Sequence, residues 1–114
     1  MTGYITLGDV KRGLTANGLS PFLYRKIFKK DFFTERYNAQ GETGAIVSVY
    51  TEMCFVMAMQ HDLNREQLFK LTESDFYDFL ESIAGADIEN HINEIHALYE
   101  GNEVTTSDPK GADD

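Results

Sequence analysis

The chain is poor in several things, and each shortage narrows the possibilities. It has a single cysteine, Cys54, so no disulfide can form within it, and a reducing compartment is the simplest expectation. Apolar runs such as residues 54–59 fall far short of the roughly 20 residues that cross a bilayer. The first seven residues offer neither a basic start nor an apolar stretch, so no secretory leader is expected. Tryptophan is absent and there are two prolines. Between residues 72 and 100 there is no lysine or arginine.

That last absence belongs to a lopsided charge pattern. Net charge is -9 over 114 residues. Residues 9–37 hold seven of the ten basic side chains, whereas residues 72–100 hold eight acidic ones. An acidic half repels phosphate backbones, which disfavours general nucleic-acid binding. The plain reading is a solvated acidic face that maintains solubility. The split also suits head-to-tail contact between copies. With 42% hydrophobic residues the chain is rich enough for one folded core.

Hydrophobic spacing predicts a mainly α fold, a small bundle of about five helices. Tyr4–Leu7 is β-prone, and Gly8-Asp9 follows it before residues 10–16. This predicts a short N-terminal hairpin, with a helix ending at Gly18 as the alternative. Ser20 is a candidate cap with Pro21 at the first helical position. Phe22, Leu23, Ile27 and Phe28 then form an apolar stripe, and Arg25, Lys26, Lys29 and Lys30 a basic one. Asp31 can cap a short helix over 32–37. Residues 42–61 should be the central helix, apolar nearly all round and therefore buried on more than one side. Asn64 and Thr72 head capping patterns for helices over 65–71 and 73–83. A last helix is expected over 87–100, with Ile88, Ile92, Ile95 and Tyr99 spaced as a short coiled-coil-like seam. Residues 1–101 would be one domain, and 102–114 a disordered polar and acidic tail.

Catalytic and ligand-binding patterns are weak. His91 and His96 are five residues apart, which places them about 140° apart on a helix and unsuited to share a metal. Gly41–Gly44 lacks the lysine and hydroxyl residue of a phosphate loop. Asp75, Asp78 and Glu81 lack the glycine turn of a calcium loop. Cys54 has no basic neighbour to activate it. No metal, cofactor or small-molecule substrate is expected, and the chain is read as a protein binder and not as an enzyme. Candidate contact residues are the seam Ile88, Ile92, Ile95 and Tyr99, the basic Arg25, Lys26, Lys29 and Lys30, and the acidic Asp75, Asp78 and Glu81.

One stretch, residues 14–33, resembles the tail assembly chaperones of long-tailed bacteriophages and prophages of Gram-positive bacteria. The resemblance rests on Ala16, Gly18, Pro21, Tyr24, Arg25, Phe28, Lys30, Asp31 and Phe32. A later helix containing Val56-Met57-Ala58, and an acidic helix after it, extend it to roughly residues 10–83. Gly13 stands where members tend to carry a larger β-prone residue. The resemblance implies a protein that binds the long, helical tape measure protein, keeps it soluble and helps bring tail-tube subunits to it. It implies action in the cytoplasm of the bacterial host and absence from the mature virion. It also implies that a longer product is often made by frameshifting. The alternative is a small acidic phage-encoded regulator or inhibitor that acts as a decoy.

Overall fold

The computed structural model describes residues 1–101, and the expected tail at 102–114 lies outside the described residues. The fold is mainly α with an N-terminal hairpin. Strands β1 (Thr2–Leu7) and β2 (Val10–Thr15) pair antiparallel, Thr2 opposite Thr15 and Leu7 opposite Val10. Gly8, at φ 65°, supplies the left-handed backbone that a two-residue hairpin turn requires. Period-2 alternation buries Gly3, Ile5 and Leu7 and leaves Thr2, Tyr4 and Thr6 in solvent. The inner face lies on the central helix, and the Arg12 guanidinium sits over the Phe79 ring at 5.1 Å from its centroid.

Among the described residues seven helices follow, against a bundle of about five expected, and every segment marked as helical from the spacing is present. They are α1 (Ser20–Phe28), α2 (Phe32–Asn38), α3 (Thr43–Asp62), α4 (Arg65–Leu68), α5 (Glu73–Glu81), α6 (Gly85–Asn90) and α7 (Ile92–Tyr99). The expected last helix is two helices, turning at His91, which leaves helical geometry with φ -121° and ψ 13°. His91 Nδ1 pairs with Glu94 across the first turn of α7. Helices α4 and α5 stop two or three residues earlier than expected.

Helix α3 is the hub. Residues 53–58 are all fully buried, which no amphipathic helix could be. The hairpin covers one side, and α1, α2, α6 and α7 cover others. Aromatic rings lock the centre, with Phe28 edge-on to Phe76 at 4.9 Å and Phe55 against Phe76 at 5.4 Å.

The caps are mixed in outcome. Asp31 caps α2 by accepting from the Thr34 N–H at 2.9 Å. Asn64 and Gln67 make a reciprocal capping box. Ser20 does not cap α1. It is fully buried, and its hydroxyl donates to Gln60 Oε1 on α3 at 2.5 Å. No side chain caps α1, and just before it Asn17 Oδ1 accepts from the Leu19 N–H at 2.9 Å and from Gln60 Nε2 at 2.9 Å. The local capping role yields to a buried tertiary bond because Ser20 faces α3.

Candidate functional site

Helix α1 buries the positions 20, 23, 24, 27 and 28, one regular helical stripe. Phe22 lies outside that stripe and is 67% exposed. This departs from the apolar stripe read from sequence, which included it. The chain then reverses at Lys29, a non-glycine residue at φ 60°, and enters α2 through the Asp31 cap. The hydrogen bonds from the Thr34 N–H and hydroxyl hold the Asp31 carboxyl below its usual range.

This tight corner brings Phe33, 53% exposed, beside Phe22. With Pro21, Arg25 and Asp31 the two rings line a shallow depression of about 230 Å3. Tyr37, one turn further along α2, is also exposed. The platform beneath is fixed. The Arg36 guanidinium lies over the rings of Phe32, Phe33 and Tyr99 at 5.2–5.7 Å. It also donates to Glu100 at 3.1 Å, tying α2 to the end of α7.

The expected contact residues divide among several fates. Arg25, Lys26 and Lys29 are exposed on α1 and form no ion pair among the described residues. Lys30 is engaged internally, bonding Glu52 at 3.1 Å and lying 3.8 Å from Glu35. Glu52 also accepts from the Tyr24 hydroxyl at 2.5 Å, and burial first, then this bond, pushes the Tyr24 phenol well above its usual pKa. Asp75 caps α5 by accepting from the Thr72 N–H at 2.9 Å, whereas Asp78 and Glu81 are exposed. The seam packs within its own chain: Ile88 and Ile95 are buried, and Ile92 and Tyr99 pack partly against the same core. It is core, because α6 and α7 fold back on α3. The basic and acidic groups are not paired with one another in the protomer.

Sequence reasoning missed Phe22, Phe33 and Tyr37. The signal was present for Phe22, since the 20, 23, 24, 27, 28 spacing is complete without it. Among the described residues no cluster of three or more histidine, cysteine or acidic side chains is placed to hold a metal. No described helix is long and apolar enough to cross a membrane. No family model, no curated protein and no solved structure matches the chain.

Proposed function

We propose that the chain is a phage tail assembly chaperone that binds the tape measure protein, keeps it soluble and helps tail-tube assembly. The observation that carries this is the pair of exposed aromatics, Phe22 and Phe33, around one depression on the segment that bears the resemblance. A holdase needs apolar surface for its client and charge for its own solubility. Here two rings and Tyr37 present apolar area at small entropic cost, and the net charge of -9 supplies the repulsion between loaded copies. Exposed Arg25, Lys26 and Lys29 beside the rings favour a client helix carrying carboxylates. The protein would work in the host cytoplasm, without metal, nucleotide or membrane, and leave before the tail matures. Copies would associate head to tail.

Co-expression with the tape measure protein of the same phage tests this. The chain should keep that protein in the soluble fraction and co-purify with it. The double variant Phe22→Ser/Phe33→Ser, both positions being exposed, should fold normally and lose the client. A tape measure protein that stays insoluble beside abundant wild-type chain overturns the reading. A second reading, an acidic decoy, draws on Glu73, Asp78, Glu81 and Glu89, which form no ion pair among the described residues. It requires competition with DNA for a basic protein, which a chaperone would not show.

A further inference from the structure

The depression between Phe22 and Phe33, at about 230 Å3, is smaller than the roughly 300–1,000 Å3 of a small-molecule pocket. It suits a single side chain. Pro21, Phe22 and Phe33 give it apolar sides. Arg25 lines it as well, and a guanidinium attracts the face of an incoming aromatic ring. Asp31 also lines it. Both Thr34 bonds to Asp31 fall on Oδ2, which leaves Oδ1 to accept from a phenol hydroxyl. Lys26 and Lys29 follow Phe22 on the same face of α1, one and two turns on, and neither forms an ion pair among the described residues. Apolar sides, a guanidinium, a carboxylate acceptor and flanking lysines together match a tyrosine set among carboxylates.

Helix α5 carries that combination. Tyr77 is exposed, and Glu73 and Glu81, four residues to either side, share its face of the helix. Neither carboxylate forms an ion pair among the described residues. Other exposed tyrosines do not qualify. Tyr4 is engaged in its own chain, with His61 edge-on at 5.6 Å and Lys11 over its ring at 5.1 Å. Tyr37 lies one turn after Phe33 on α2, on the receiving side. Residues 102–114 supply carboxylates but no aromatic ring. Tyr77 does not line the depression of its own protomer, so the ring must come from a second copy. We propose that Tyr77 of one copy seats between Phe22 and Phe33 of the next, with Glu73 and Glu81 set against Lys26 and Lys29. The contact joins unlike faces, so it propagates into chains or rings. It also covers the rings that would hold a client, so self-association and client binding exclude each other. That consequence rests on the chaperone reading, whereas the docking itself does not.

The chain has no tryptophan, so Tyr77→Trp places a single fluorescent reporter on α5. The reporter chain also carries Phe22→Ser/Phe33→Ser, which removes its own seat. It is titrated with the Tyr77→Ser chain, which keeps the seat and offers no ring. All three positions are exposed, so both full-length chains should melt as the wild type does. Tryptophan emission should move to shorter wavelength and saturate, with the affinity falling several-fold between about 50 and 300 mM salt. Sedimentation velocity should find each chain monomeric alone and a heterodimer in the mixture, because one ring and one seat remain between them. A titrant that carries Phe22→Ser/Phe33→Ser besides Tyr77→Ser should leave the emission unchanged. No shift with the first titrant, or an equal shift with both, overturns the proposal. So does a Tyr77→Ser chain that self-associates as strongly as the wild type. Co-expression separates this result from the chaperone reading, since the Tyr77→Ser chain should still keep the tape measure protein soluble. If it does so yet self-associates like the wild type, the docking fails and the reading stands. If it is monomeric and the tape measure protein stays insoluble, the reading fails and the docking stands.

Discussion

At position 13 a glycine and a histidine share one space. A β-carbon built on Gly13 would fall within the His61 imidazole, far inside van der Waals contact. The missing side chain thus lets the end of α3 press its ring onto β2, where Tyr4 meets it edge-on at 5.6 Å. Gly13 has ordinary strand geometry, so the restriction is one of room and not of backbone. Gly13→Ala should therefore cost up to about 1 kcal/mol in the wild type, by displacing His61 from Tyr4. In a His61→Ala background the same change should stabilise by about 0.5 kcal/mol, because glycine in a strand costs entropy. Urea unfolding of the four proteins reads the coupling, and an equal effect in both backgrounds would show that the two residues do not compete. Cys54 makes a second residue-level case. Burial pushes its thiol up to about 12, so at pH 8 it should react with a disulfide reagent only as fast as the chain unfolds. The folded state holds the proton where the unfolded chain releases it, at about 8.5. Stability is then full below that pH and falls as pH rises from there toward 12, by up to about 1.4 kcal/mol per unit for one group. Melting curves across pH 8–10 should show that slope, and Cys54→Ala should flatten it while lowering stability throughout.

Among the elements, α3 was the most legible and the last helix the least. Residues 42–61 are apolar nearly all round, and burial of residues 53–58 on every side is the physical counterpart, while the first turn and Ser48 stay exposed. The hairpin was also readable, since Gly8 supplies the one positive φ its turn needs. The turn at His91 was not readable. Asn90-His91 contains neither glycine nor proline, and the 88, 92, 95, 99 spacing runs through it unbroken. The bend falls at His91, with Ile88 before it and Ile95 after it both buried in the core. The exposed aromatics were hard to read for a related reason. Hydrophobic identity marks a residue as apolar, but only the neighbouring helices determine whether Phe22 and Phe33 find cover. The element-level prediction concerns α3. Met57 is fully buried, and a lone carboxylate there loses its hydration without a partner, at a cost of several kcal/mol. Met57→Asp should abolish the cooperative melting transition seen by circular dichroism. Ile95→Asp, equally buried on α7, should do the same, and a folded Ile95→Asp protein would mean that α7 is not part of the core.

At the scale of the whole molecule, the charge split survives folding. Internal pairs absorb Lys30 and Arg36, but Arg25, Lys26 and Lys29 remain unpaired on α1, and Asp78 and Glu81 remain unpaired on α5, among the described residues. Opposite fields on different helices of one protomer direct unlike faces toward each other, so contact between copies would be heterologous and would grow into rings or open filaments. Ile88 and Ile95 of the isoleucine seam cannot contribute apolar area to it, because both are buried in the core. Exposed charge pairs contribute roughly 0–1 kcal/mol each, and a Debye length of about 10 Å at 0.1 M salt leaves little of their field at physiological ionic strength. The expected behaviour is therefore weak association, visible at low salt and gone by about 0.5 M. Sedimentation velocity at a series of concentrations reads it. Arg25→Glu/Lys26→Glu/Lys29→Glu should be monomeric at low salt, and so should Asp78→Lys/Glu81→Lys, while retaining the wild-type melting temperature. Mixing the two variants should restore association, because the retained basic face of one meets the retained acidic face of the other and the two reversed faces are complementary as well. Asp75 must stay untouched in this design, because it caps α5 and its loss would destabilise the helix. Association in the mixture, with both variants monomeric alone, is the outcome that opposed charge faces on separate helices produce. Association that persists in either variant would instead assign the contact to apolar surface.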